Sequence, residues 1–190
     1  ALAANEQAKG KGVMVVFSDG IYGGRDVQKI STCQTDAFDS KDFGGMGYMV
    51  DGVPYFYNDS VKCHTTETEF DVSSLKELPK VGVAYFTIDA DPEILDYYKE
   101  SGVQGIVIAG AGSGCYSEQW NNKIDELAET GIPVVRCSRI GSGVITQDDY
   151  FIGNIARGND LAPQKAATLL RLILTVTNDI EQVQNMFDKY

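Results

Sequence analysis

The run VGVAYFTIDADPEILDYYKESGVQGIVIAGAGSGCYSEQWNNKIDELAETGIPVVRC, residues 81–137, alternates apolar strand-like words with amphipathic helical ones. Residues 81–86, 105–109 and 133–137 are short and rich in Val and Ile, the composition of strands buried on both faces. After the first of them Asp91-Pro92-Glu93 predicts a helix start. Asp serves as N-cap, proline sits in the first turn where no N–H is needed, and glutamate faces the positive end of the dipole. Ile94, Leu95 and Tyr98 predict one apolar face, and Gly102 ends the helix. A second helix is predicted over 117–130, where Trp120, Ile124, Leu127 and Ala128 are spaced as a buried stripe and Gly131 stops it. Strand, helix, strand, helix, strand with short connections predicts a parallel sheet with right-handed crossovers, covered on both faces. Ligands of such sheets bind at the carboxyl ends of the strands, here Phe86-Thr87, Ala109-Gly110 and Ser138-Arg139.

Downstream, Asp160 is expected to cap a helix with Pro163 in its first turn, and Asp179 to cap a last helix whose Ile180, Val183 and Phe187 face inward. Upstream the rhythm is different. Residues 1–10 are Ala-rich and read as the back half of a helix, and 13–17 as a buried strand. Residues 46–50 and 53–57 flank Asp51-Gly52, a pair that supplies the positive φ angles of a type I′ hairpin turn. Segment 67–79 is acidic, polar and ends in Leu78-Pro79, and reads as a boundary. The expected organisation is therefore 1–66, a linker at 67–79, and a domain over 80–190. No internal repeat is visible.

Apolar residues make up 43% of 190, enough for a core and against disorder. No run approaches the ~20 apolar residues that cross a bilayer, and the most apolar one, 169–176, is interrupted by Arg171. A net charge of -11 argues against nucleic acid, whose phosphates need clustered Lys and Arg. The four cysteines, Cys33, Cys63, Cys115 and Cys137, lack metal-site spacing; their pairing into disulfides stays open. Cys137, in an apolar strand pattern, reads as a buried thiol. His64 is the only histidine, and its neighbour Cys63 is too close in sequence to face it as a catalytic pair.

Several words recur in a particular order. Residues 12–32 read GVMVVFSDGIYGGRDVQKIST. Phe70-Asp71-Val72-Ser73 precedes Leu78-Pro79-Lys80-Val81-Gly82, and Gly105-Ile106-Val107 precedes the glycine loop 110–114. Val134-Val135-Arg136-Cys137-Ser138-Arg139, Pro163-Gln164-Lys165-Ala166 and Phe187-Asp188-Lys189-Tyr190 follow. Taken together, the chain resembles the later part of the bacterial type II L-asparaginases over nearly its whole length. The resemblance implies an α/β protein: a parallel-sheet, flavodoxin/Rossmann-like C-terminal domain, preceded by the tail of a larger α/β domain that contains the β-hairpin. It implies hydrolysis of L-asparagine, and perhaps L-glutamine, through a threonine nucleophile, with no metal or organic cofactor. It also implies a homotetramer with sites between subunits, and a periplasmic or secreted setting, with a cytoplasmic one left open. The family's Thr-Gly-Gly-Thr-Ile-type segment and its Thr-Asp pair do not occur in these residues. The chain is accordingly expected to be the C-terminal piece of such an enzyme, inactive alone and completed by an N-terminal segment.

The resemblance also implies site residues. Lys29 matches a buried catalytic lysine; desolvation lowers a lysine pKa, so that it can take and return the proton of a threonine hydroxyl. The loop 110–115 matches one that offers an Asn or Ser to the substrate's amino-acid head in a neighbouring subunit. Here that position is Cys115, a poorer hydrogen-bonding group, with Ser113 nearby to compensate. A family glutamate that binds the substrate's ammonium falls near Asp149, the nearest carboxylate, although strict spacing selects Tyr150. Two further readings stand beside the enzyme: a non-catalytic amino-acid-binding α/β module, and more remotely a nucleotide binder, since Gly110-x-Gly112 opens like a dinucleotide loop but lacks its third glycine.

Overall fold

The computed structural model describes residues 1–151 and 153–190, and of Asp149 the backbone alone. It divides into two units, Ala1–Thr68 and Glu69–Tyr190.

The first unit is built on an antiparallel sheet. Strand β1 (Met14–Phe17) turns through Ser18 and Asp19, both at positive φ, into β2 (Gly20–Gly23). A two-residue ribbon follows, β3 (Gln28–Lys29) against β4 (Phe38–Asp39). The hairpin is present as β5 (Gly47–Val50) and β6 (Val53–Phe56), with Asp51 at φ 49° and Gly52 at φ 79°, as a type I′ turn requires. The sheet order is β1-β2-β5-β6. Two expectations fail here. Residues 1–10 form two 3-10 turns, Leu2–Ala4 and Glu6–Ala8, because the Asn5 side chain accepts the Gln7 N–H and neither turn buries a residue to hold a longer helix. Strand β1 is half exposed, with Val16 44% accessible; among the described residues it pairs with β2 alone, at the edge of the sheet.

The second unit has the expected parallel sheet, with one more strand. Strands β7 (Val81–Tyr85), β8 (Gly105–Gly110), β9 (Val134–Ser138) and β10 (Ile155–Arg157) lie in that order, all parallel. A sequential order with right-handed crossovers puts the connecting helices on one face. Helices α1 (Ile94–Glu100) and α2 (Glu118–Ala128) indeed share one core with Ala84, Ile106, Ile108 and Val134. Helix α3 (Pro163–Ile173) returns against β7, β8 and β9, with Leu170 and Leu174 over Gly105 of the opposite face. Helix α4 (Ile180–Lys189) packs on β10 and α3. Covered on both sides, β8 is buried at all six positions.

Helix α2 follows its prediction closely. Ser117 accepts the Trp120 N–H as N-cap, and Trp120, Ile124, Leu127 and Ala128 are the buried positions. The Trp120 indole donates to Ala90 O at 2.7 Å, fixing the helix to the turn after β7. Asp179 caps α4 through the Gln182 N–H at 3.0 Å, and Val183, Met186 and Phe187 are buried beneath. Three details differ. Asp91 accepts the Glu93 N–H two residues on, so it makes a turn and the regular helix begins at Ile94, itself 41% exposed. Ala162, with extended backbone before Pro163, takes the N-cap position of α3, two residues beyond Asp160. Strand β10 was not predicted, since three residues ending in arginine carry no alternation to read. Among the described residues no helix is long and apolar enough to cross a membrane.

Candidate functional site

The carboxyl ends of the parallel strands converge as the topology predicts. Beyond β8 the chain reverses within five residues: Ala111 and Cys115 exchange backbone hydrogen bonds at 2.8 and 2.7 Å. Gly110 and Gly114 make this possible. A Cβ on Gly110 would lie 2.3 Å from the Gly114 carbonyl carbon, and Gly114 sits at φ 82° against the Arg136 stem. Ser113 and Cys115 are held exposed at the tip. The Ser138 hydroxyl, at the end of β9, donates to Gly112 O at 2.5 Å. Arg139 ties the neighbouring strand ends together, donating through its backbone to Gly110 O at 2.9 Å and through Nη1 to Phe86 O at 2.8 Å.

The loop after β9 lies beside this one. Ile145 is buried and donates its N–H to Asn159 O at 3.0 Å. Asp148 then organises a 3-10 turn, Asp149–Phe151: its carboxylate accepts the Tyr150 N–H at 2.9 Å and its carbonyl the Phe151 N–H at 3.0 Å. The Asp149 side chain lies outside the described residues. Phe151 turns inward and Tyr150 stays exposed, their rings 4.9 Å apart.

Between the two loops is an arginine that lies inside an apolar strand. Arg136 is 2% exposed at the middle of β9. Its Nη1 donates to Ser113 O at 2.9 Å, its Nη2 to Thr146 O at 2.7 Å, and its guanidinium carbon stands 4.1 Å from the Phe151 ring centre. Burial pulls its pKa down, partly opposed by Tyr116. Tyr116, edge-on to Phe151 at 4.9 Å, is pushed well above the ordinary phenol range by burial, and among the described residues its hydroxyl has no hydrogen-bond partner. A sequence signal existed: one arginine inside an otherwise apolar strand must find partners. Cys137, the next residue, is a fully buried thiol as expected, pushed up to about 12 by burial and therefore unreactive.

Lys29 belongs to the first unit. The resemblance implies a buried lysine, and in this chain Lys29 is exposed, its ammonium 5.8 Å from the centre of the Phe38 ring across the β3–β4 ribbon. A ribbon two residues long has too little surface to enclose a side chain. His64 and Cys63 line a shallow polar groove, but each is engaged locally: His64 Nδ1 bonds the Thr65 hydroxyl at 3.3 Å and the Cys63 thiol donates to Glu67 O at 3.2 Å. Among the described residues no cluster of three His, Cys, Asp or Glu is arranged to hold a metal ion.

Comparison with known proteins places this architecture. Residues 80–187 match the family model described as the Glutaminase/Asparaginase C-terminal domain, and residues 1–62 match the one described as Asparaginase, N-terminal. The chain belongs to the asparaginase/glutaminase family. An L-asparaginase 2 of Bacillus subtilis is 40% identical over 190 residues, covering 100% of this chain and 50% of that protein. A glutaminase-asparaginase of Acinetobacter glutaminasificans is 39% identical over 197 residues, covering 100% and 59%. A crystal structure titled probable cytoplasmic L-asparaginase from Campylobacter jejuni superposes with a TM-score of 0.94 at 40% identity, covering 100% of this chain and 62% of that one. The present asparaginase-family chain thus spans about half the length of the curated relatives it matches.

Proposed function

We propose that this chain forms part of an amidohydrolase that converts L-asparagine, and to some degree L-glutamine, into the acid and ammonia. The observation that carries the reading is the ordered match of both asparaginase family models along one chain, with relatives named for those two substrates. In the proposed reaction a threonine hydroxyl, supplied from outside these residues, attacks the side-chain amide carbon and expels ammonia; water then hydrolyses the acyl ester. Lys29 takes the hydroxyl proton and returns it to the leaving group. Because Lys29 is exposed here, that role needs further protein surface to desolvate it. Ser113, Cys115 and a carboxylate at Asp149 bind the amino-acid head, in a homotetramer whose subunits share sites. The proposed compartment is periplasmic or extracellular; recovery from the cytosol, the setting named for the Campylobacter protein, would change it.

Native mass spectrometry with an ammonia-release assay tests the proposal. A multi-subunit assembly that releases ammonia from L-asparagine, and loses at least ~100-fold of that rate in Lys29→Met, is expected if Lys29 relays the proton. An unchanged rate in Lys29→Met would remove the lysine from the mechanism. The second reading, an amino-acid-binding module, is favoured by Cys115 in the position of a stronger hydrogen-bonding residue. Calorimetric binding of L-asparagine without turnover would establish it.

A further inference from the structure

We infer that Arg136 is a positioning residue that locks the loop after β8 to the loop after β9, so that the two proposed substrate-facing loops hold one geometry. The geometry carries the inference. Arg136 is a charged side chain 2% exposed in a strand whose neighbours Val134, Val135 and Cys137 are fully buried. Burying a guanidinium is costly, and a hydrophobic residue of similar volume commonly serves a core at least as well. No carboxylate pairs with it in a salt bridge among the described residues. Its side-chain hydrogen bonds go to two carbonyls, and each belongs to a different loop: Ser113 O and Thr146 O. The guanidinium carbon stands over the ring of Phe151, the last residue of the turn that carries Asp149. A Cβ added to Gly114, one residue before Cys115, would lie 3.0 Å from the Arg136 stem. A forked side chain is needed for this arrangement: two separate terminal nitrogens reach the two carbonyls while the guanidinium carbon stays 4.1 Å from the centre of an aromatic ring. Among the described residues Nε is buried without a hydrogen-bond partner, as expected where placement of the two outer nitrogens matters more than local satisfaction.

The inference deepens the proposed function, on which its catalytic consequence rests, but the lock itself is measurable without turnover. The experiment is amide hydrogen exchange by mass spectrometry on the whole protein and on its Arg136→Lys, Arg136→Met and Phe151→Leu variants. The reporters are the Cys115 amide in one loop and the Ile145 and Phe151 amides in the other, all hydrogen-bonded to backbone. Arg136→Met is expected to accelerate both groups together by ~10-fold or more, while amides of β8 and α3 keep their rates. Arg136→Lys keeps the charge and loses the fork, so it should release at least one loop; Phe151→Leu should loosen the second loop more than the first. Unchanged protection of either loop in Arg136→Met, or equal acceleration throughout the unit, overturns the inference. If Arg136→Met does not fold, the Lys and Leu variants decide by the same criteria. Where L-asparagine is turned over, KM in Arg136→Lys is expected to rise about 10-fold with kcat changed far less, because the loops hold the amino-acid head. If the unaltered protein turns over no asparagine, the proposed function fails while the exchange result still decides the lock.

Discussion

The two units bury their sheets differently. In the second, a parallel sheet lies between α1 and α2 on one face and α3 on the other, and every residue of β8 is buried. In the first, an antiparallel sheet leaves Tyr48, Val50, Val53 and Tyr55 exposed, each between 47% and 62% accessible. A strand buried on both faces writes a continuous apolar run into the sequence, whereas a half-exposed one needs only alternation and tolerates large apolar residues outside. The second unit is therefore dominated by packing and the first by turn chemistry.

Substitutions in each unit sharpen that contrast. The largest effect is expected for Trp120→Ala, which empties the α1–α2 core and removes the bond to Ala90 O; about 3–5 kcal/mol of stability should be lost from the second unit. Denaturant unfolding with exchange protection of β8 measures it, and a loss confined below 1 kcal/mol would mean that the core repacks. Gly114→Ala should follow, because φ 82° and an atom of Arg136 at 3.0 Å both oppose a methyl; roughly 1–3 kcal/mol is expected, with exchange rising first in the 111–115 loop. In the first unit Gly52→Ala meets open space, so only the positive φ opposes it, about 1–2 kcal/mol. Fraying of the β5–β6 amides without change in β8 is the expected readout, and a matching loss in β8 would contradict the division into packing and turns.

The smallest effects are electrostatic and occur in both units. Asp59 is held below the ordinary carboxylate range first by its hydrogen bond from Lys11, and Glu69 likewise by Lys189. A carboxylate depressed in the folded state contributes stability that is present above its unfolded pKa and lost as pH falls through the folded one. Stability should thus decline on acidification below the ordinary Asp and Glu pKa values. Both pairs are partly exposed, so the loss is small and screened by salt. Lys11→Met and Lys189→Met should each flatten the acid limb of a melting-temperature profile, and an unaltered slope would show that the pairs contribute nothing.

Legibility in the sequence followed the range of the interaction. The α2 stripe, the Asp179 cap and the Asp51-Gly52 turn are decided within a few residues, and all were readable. Asp160 misled because the helix opens on Pro163 itself, so the cap position falls to Ala162 immediately before it rather than to the residue whose side chain could cap. Strand β10 was hidden because it exists only by pairing with β9. Of the candidate site, the glycine loop bearing Ser113 and Cys115 was visible as composition, and the way it folds back on itself was not.

The sequence by itself determined the α/β class, the parallel sheet and the family, because apolar periodicity, helix caps and word order are local properties of the chain. Only the tertiary structure decided that Lys29 stands exposed on a short ribbon, and that Arg136, unremarkable within its strand word, joins two loops far apart in sequence. Burial and hydrogen-bond partnership depend on what the rest of the fold brings near, and no spacing along the chain encodes that.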